Sequence, residues 1–186
     1  TIVVFSSDHG ETMASHVEDP KNSPYTEAMN VPFIVRYPEK LKPQISPLLL
    51  STPDIMPTLL SLAGLNKQIP ASVQGHDLSA LIQKYNKSKS PKAVLYIQNV
   101  DGKKNPDGKV LNYFPFSRGI KTERYTLSIT IDRKKNIKGI NFFDDKKDPY
   151  QLNNLSTDTH RKEFQKLCRQ LSVLLKDSND PWYREK

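Results

Sequence analysis

Long apolar runs are what this sequence of 186 residues has least of: hydrophobic types make up 36% of it and mean hydropathy is −0.62. No stretch approaches the roughly 20 apolar residues that a membrane-spanning helix requires, so a transmembrane segment is excluded. Its only cysteine, Cys168, excludes an intramolecular disulfide. The place of Cys168 on the apolar stripe of a C-terminal helix predicts a small packed side chain rather than a reactive thiol. Glycine is sparse, seven residues against fourteen prolines, which predicts rigid connections instead of flexible low-complexity linkers. No internal repeat is present. The composition is lean for a self-sufficient α/β core, and the chain opens directly on a buried-type strand with no initiator methionine or leader. The expectation is the C-terminal portion of a longer protein.

Charge is abundant but uneven. Residues 1–82 carry a net −3, and residues 83–186 a net +11. A basic half attracts polyanions such as nucleic acid or a sulfated glycan. Lys84, Lys87, Lys89 and Lys92, however, are spaced among Asn and Ser as in a solvated loop, without the interleaved aromatic platforms of a single-strand binder. Nucleic acid is therefore not expected as a partner.

The most informative stretch is the first. Ile2-Val3-Val4-Phe5 is a continuous apolar run that stops at Ser6-Ser7, then Asp8 and His9 stand side by side before Gly10-Glu11. Such a run reads as a strand buried on both faces within a parallel sheet. Ligands of open α/β sheets gather beyond the carboxyl ends of strands, where Asp8 and His9 fall. A carboxylate beside an imidazole suits a divalent cation; the same tripeptide also suits a plain turn, with Asp8 bonded to backbone N–H groups and Gly10 at positive φ. Taken alone, Lys21 reads as a solvated surface lysine.

The order of motifs along the next seventy residues favours the cation site over the plain turn. Asp8-His9-Gly10-Glu11, His16, Lys21, Pro24-Tyr25-Thr26-Glu27 and Asn30-Val31-Pro32-Phe33-Ile34-Val35-Arg36-Tyr37-Pro38 occur in an order that resembles the sulfatase family of the alkaline-phosphatase-like superfamily. Asp54-Ile55-Met56-Pro57-Thr58-Leu59-Leu60 and Gln74-Gly75-His76-Asp77-Leu78 continue that order. The resemblance implies that Asp8 and His9 are the later pair of ligands to a divalent ion, usually Ca2+, and that Lys21 contacts the sulfate ester. It makes His16, His76 and Arg118 candidate pocket residues, and residues 99–112 a candidate loop for choosing substrates. His9 stands where many relatives have Asn. The family's paired N-terminal aspartates and its Cys/Ser-x-Pro-x-Arg motif, whose first residue becomes formylglycine, do not occur in these residues. The resemblance therefore places the nucleophile outside this chain, predicts that the chain alone is inactive, and implies an exported protein.

The fold class expected is α/β: residues 1–84 as the C-terminal part of an alkaline-phosphatase-like α/β domain, and residues 85–186 as a small antiparallel sheet with a C-terminal helix. In the first, Thr52-Pro53-Asp54 reads as a helix start capped by Thr52, and Gly64 as its end. Asp77 caps a short helix through Ile82. In the second, Ala93–Ile97, Phe114–Ile120, Tyr125–Ile131 and Ile140–Asp144 read as strands. Alternation puts Tyr125, Leu127, Ile129 and Ile131 on one face, predicting a sheet covered on one side. Phe164, Leu167, Cys168, Leu171, Leu174 and Leu175 recur at helical spacing. Arg118–Tyr125 and Phe143–Leu155 resemble the strand-turn-strand and closing turn of the sulfatase C-terminal subdomain, with Tyr150-Gln151 where many relatives have Glu.

Three functional readings are open at this point: a metal-dependent sulfatase acting on sulfated carbohydrate, a phosphoesterase or phosphotransferase of the same superfamily, and a noncatalytic domain that binds anionic glycans. Loss of neighbours beside the first strand predicts either self-association of the chain or a partly disordered N-terminal third.

Overall fold

The computed structural model describes residues 1–17, 21–98, 106–107, 116–132 and 134–183. The expected specificity loop at 99–112 falls almost wholly outside them. Two compact units emerge, one of residues 1–7 and 32–94, the other of residues 8–31 and 95–186. These are not the contiguous stretches 1–84 and 85–186. The loop carrying Asp8, His9 and Lys21 packs with the C-terminal sheet, to which side-chain hydrogen bonds tie it. No helix among the described residues is long and apolar enough to cross a membrane.

In the first unit, β1 (Val3–Ser6) pairs antiparallel with β2 (Phe33–Arg36), Val3 opposite Arg36 and Phe5 opposite Ile34. The neighbour expected to be parallel is antiparallel: β1 pairs with one strand among the described residues, and all four of its residues are exposed, as the loss of neighbours beside it predicts. Val3, Phe5 and Ile34 share one face and are 51%, 61% and 60% exposed. Helix α2 (Thr52–Leu62) is capped by Ser51 rather than Thr52. Asp54 Oδ2 accepts from both the Ser51 N–H (2.9 Å) and the Ser51 hydroxyl (2.6 Å), which places a carboxylate at the positive end of the helix. Its end is a Schellman turn: Gly64 takes φ +80, with Leu65 N–H to Leu60 O and Gly64 N–H to Ser61 O. Pro57 inside α2 offers no N–H to the Pro53 carbonyl. The backbone of Gly75 approaches that carbonyl so closely that a Cβ there would sit 1.8 Å from it. Short α3 (Ser79–Gln83) begins where Asp77 Oδ1 accepts the Ser79 N–H.

The second unit contains α1 (Thr26–Met29), a four-stranded antiparallel sheet in the order β3 (Ala93–Gln98), β4 (Phe116–Thr122), β5 (Tyr125–Ile131), β6 (Ile137–Asp144), and α4 (Arg161–Asp177). The Thr122 hydroxyl accepts the Tyr125 N–H and closes the β4–β5 hairpin. Ile120, Leu127 and Phe142 lie in register across three strands and are wholly buried, each contributing about 1.5–3 kcal/mol. Phe164 of α4 packs on Phe142, and Leu167, Leu171 and Leu175 bury the rest of the helix stripe. Cys168 is half-buried, and burial pushes its thiol up, as expected of an inert cysteine.

The sheet is covered on both sides, contrary to the alternation. On the face opposite Leu127, Thr126 and Ser128 are buried as deeply, and Tyr25 of the 8–31 segment packs on Phe143. That face is polar, so its period-2 pattern looks solvent-facing; its Thr126, Lys121 and Asp145 are instead partners in a buried hydrogen-bond cluster.

Candidate functional site

The site is built on the loop that leaves β1. Asp8 turns back on the chain, its Oδ1 accepting the His9 N–H at 3.0 Å. His9 Nδ1 lies 2.9 Å from Gly10 O. A carbonyl only accepts, so Nδ1 carries the proton and, in the neutral ring, Nε2 presents its lone pair. At that nitrogen two further groups converge, Lys21 Nζ at 3.3 Å and Asp8 Oδ2 at 3.5 Å. Glu11 Oε1 stands 3.7 Å from the other ring nitrogen. Gly10 holds the loop down: its N–H donates to Ala28 O at 2.8 Å, and a Cβ in its place would lie 1.9 Å from Glu27 O.

Three of the residues expected at the site therefore meet at one point, although twelve positions separate His9 from Lys21. Asp8 and His9 offer a mixed donor pair, a carboxylate oxygen of the kind hard cations take and an imidazole nitrogen that suits softer ones. The carboxylate would supply one of the roughly six to eight oxygen ligands that a hard cation such as Ca2+ takes. The carbonyl bond on Nδ1 is the outer partner usual for a metal-binding histidine. Among the described residues no cluster of three or more His, Cys, Asp or Glu ligands forms.

The other candidates sit elsewhere. His16 takes φ +65 in a loop where Met13 and Ala14 are also left-handed. Its ring stacks on Tyr25 at 3.7 Å, and Nε2 faces Glu27 Oε1 at 3.5 Å without a hydrogen bond. With its side chain 6% exposed, His16 supports the loop from beneath. His76 belongs to the other unit. Its backbone is anchored by N–H donation to Asp54 Oδ1 and its carbonyl accepts from Thr58, while the ring is 83% exposed.

Arg118, expected as a candidate pocket residue, lies in the interior instead. It is 1% exposed, Nε donates to Asp180 Oδ2 at 2.8 Å, Nη1 to Ser117 O, and the guanidinium lies over the Trp182 ring. Asp180 is brought there by a second Schellman turn, in which Asn179 takes φ +51 and the Asp180 N–H reaches Leu175 O. Burial with a paired carboxylate gives Arg118 a structural role.

Residues 19–179 match the family described as N-sulphoglucosamine sulphohydrolase, C-terminal. The chain belongs to the sulfatase family. Along its full length it is 53% identical to an endo-4-O-sulfatase of Bacteroides thetaiotaomicron, and it spans 37% of that protein. Over 94% of the chain it is 35% identical to an ulvan-active sulfatase of Formosa agariphila, spanning 32% of it. A solved Bacteroides thetaiotaomicron structure from work on the metabolism of multiple glycosaminoglycans superposes with TM-score 0.89 and 53% identity, over 98% of this chain and 38% of that one. The sulfatase chain thus spans less than two fifths of these relatives. The mixed α/β architecture with its antiparallel sheets and C-terminal helix is the sulfatase one. Gly10, whose carbonyl sets the His9 tautomer, was absent from the sequence-derived site.

Proposed function

We propose that the protein carrying this chain is a metal-dependent sulfatase that hydrolyses sulfate esters of a sulfated carbohydrate. The observation that supports this reading is the convergence of Asp8 Oδ2 and Lys21 Nζ on the unprotonated Nε2 of His9. Asp8 and His9 are the proposed ligands of a divalent cation, Ca2+ in the usual family pattern, and Lys21 is the proposed contact to a sulfate oxygen. A cation held there would supply positive charge to stabilise the sulfate oxygens, a kind of electrostatic stabilisation that is frequently the largest contribution to catalysis. Gly10 O holds His9 in the ligating tautomer, and Asp8 is oriented by the His9 N–H. Nε2 has one in-plane lone pair, which Lys21 occupies here as a donor. If that lone pair were given to a cation, Lys21 would no longer donate to it and could turn that donor to sulfate. The nucleophile is proposed to be a formylglycine outside these 186 residues, and export from the cytoplasm is proposed on the family resemblance.

The substrate class rests on relatives whose names point to ulvan and to glycosaminoglycan metabolism. The test is sulfate release by the full-length protein, produced with a formylglycine-generating system, against sulfated saccharides and matched phosphate esters. Loss of sulfate release in Asp8→Ala and a large but still measurable reduction in Lys21→Ala, together with loss of Ca2+ binding by calorimetry in Asp8→Ala alone, is the expected result. Release of phosphate in place of sulfate overturns it in favour of the superfamily's phosphoryl chemistry.

A further inference from the structure

Lys21 is an exposed side chain on a loop, yet its ammonium must be presented at one point. The backbone after it is held at two places. Asn22 O accepts from the Gln98 side-chain Nε2 at 3.0 Å, and the first N–H of α1, that of Thr26, donates to Gln151 Oε1 at 2.7 Å. Helix α1 is a single turn whose N-cap residue, Tyr25, provides no side-chain cap, so Gln151 takes over that duty from 125 positions away.

Both carboxamides are themselves immobilised. Gln98 is 8% exposed, and its Oε1 accepts from the Tyr96 hydroxyl at 3.0 Å. Burial pushes the Tyr96 phenol up to about 12, so it stays a donor throughout the neutral range. Gln151 is 2% exposed in a left-handed conformation, φ +54, within the turn after β6. Its Nε2 donates to Asp145 Oδ1 at 2.7 Å and to Thr126 Oγ1 at 3.1 Å. Lys121 Nζ neutralises Asp145 at 2.9 Å and also reaches Thr26 Oγ1 at 3.2 Å. Each glutamine uses both ends of its amide, oxygen as acceptor and nitrogen as donor, which a carboxylate does not reproduce.

We infer that Gln98 and Gln151 are positioning residues for Lys21, clamping the segment 22–26 at its two ends so that the ammonium is delivered to the sulfate subsite already ordered. This inference rests on the proposed role of Lys21. Chemically, Gln98→Glu removes the donor to Asn22 O. Gln151→Glu still accepts from Thr26 but sets a carboxylate against that of Asp145. Changing Asp145→Asn in the same molecule restores a donor between the two groups and removes the like-charge contact.

The experiment uses the full-length protein, with kcat/KM for sulfate release and amide hydrogen exchange measured on the same samples. Gln98→Glu and Gln151→Glu are expected to lower kcat/KM by roughly 10- to 100-fold, the scale of a small misplacement of a catalytic contact. Exchange should quicken at residues 22–26 while the β4–β5 amides stay protected. Asp145→Asn with Gln151→Glu should recover most of the loss. In a Lys21→Ala background, Gln98→Glu should cost no more than about twofold further, because residues acting through one group are non-additive. Full additivity with Lys21→Ala, unchanged exchange at 22–26, or absence of rescue overturns the clamp and leaves the Lys21 assignment standing. A harmless Lys21→Ala overturns that assignment and the inference with it.

Discussion

Asp180→Ala is the perturbation whose outcome the structure defines most sharply. Arg118 and Asp180 are 1% and 5% exposed at their side chains, and Nε and Oδ2 are 2.8 Å apart. Removing the carboxylate leaves a permanently charged guanidinium in a site closed to water, a change that costs about 3–5 kcal/mol. Domain stabilities are roughly 5–15 kcal/mol, so the loss is a large share of what holds the second unit together. With a urea slope of about 1–3 kcal/mol/M, a loss of about 4 kcal/mol moves the midpoint down by about 1–4 M. Trp182, the sole tryptophan, lies 5.0 Å from the Arg118 guanidinium and reports this unit directly by fluorescence. The companion variant Arg118→Met with Asp180→Leu removes both charges at similar volume and is expected near wild-type stability, since an apolar pair often equals a buried ion pair. A midpoint for Asp180→Ala within about 0.3 M of wild type, on the same slope, refutes the buried-pair reasoning. So does a double variant as unstable as Asp180→Ala. In the full-length protein the double variant should retain its preference among sulfated saccharides; a changed preference returns Arg118 to the substrate.

Acid sensitivity is expected from Asp144, whose carboxyl is held below its usual value by hydrogen bonds from Arg124 Nε and Nη2. A carboxyl lowered on folding contributes stability above its unfolded value, about 3.9, and that contribution disappears as pH falls through the lower folded value. Urea midpoints measured from neutral to acid pH should fall more steeply for wild type than for Asp144→Asn, and parallel curves would remove Asp144 from the account. The chain on its own should self-associate through the exposed face of Val3, Phe5 and Ile34. Sedimentation should show oligomers that Phe5→Lys with Ile34→Glu dissolves, and a wild-type monomer at all concentrations would contradict this.

The hairpin at Thr122–Tyr125, the helix at Arg161–Asp177 and the Gly64 stop were legible from spacing and caps, because each depends on neighbours in sequence. The candidate ligands Asp8 and His9 were legible too, being adjacent, and Lys21 through its place in the motif order. Covering of the second sheet face was not legible. Thr126, Ser128 and Lys121 look solvent-facing in one dimension, and only the return of the 8–31 segment onto them makes them interior. Arg118 misled for the same reason: a cation in a loop-to-strand stretch reads as available until Asp180, 62 positions later, arrives beside it. The apolar run of β1 records what a strand prefers to touch, whereas its exposure depends on which neighbours are there.

Residue order alone was enough to specify the local elements and the family, and to nominate Asp8, His9 and Lys21 as candidates. Those properties are carried by motif spacing and short-range geometry. Folding in three dimensions was needed to bring Lys21 to His9 Nε2, to let Gly10 O select the tautomer, and to hold the lysine segment from the C-terminal sheet through Gln98 and Gln151. These are hydrogen bonds between groups up to 125 positions apart, whose partners are chosen by packing and leave no periodic trace in the chain.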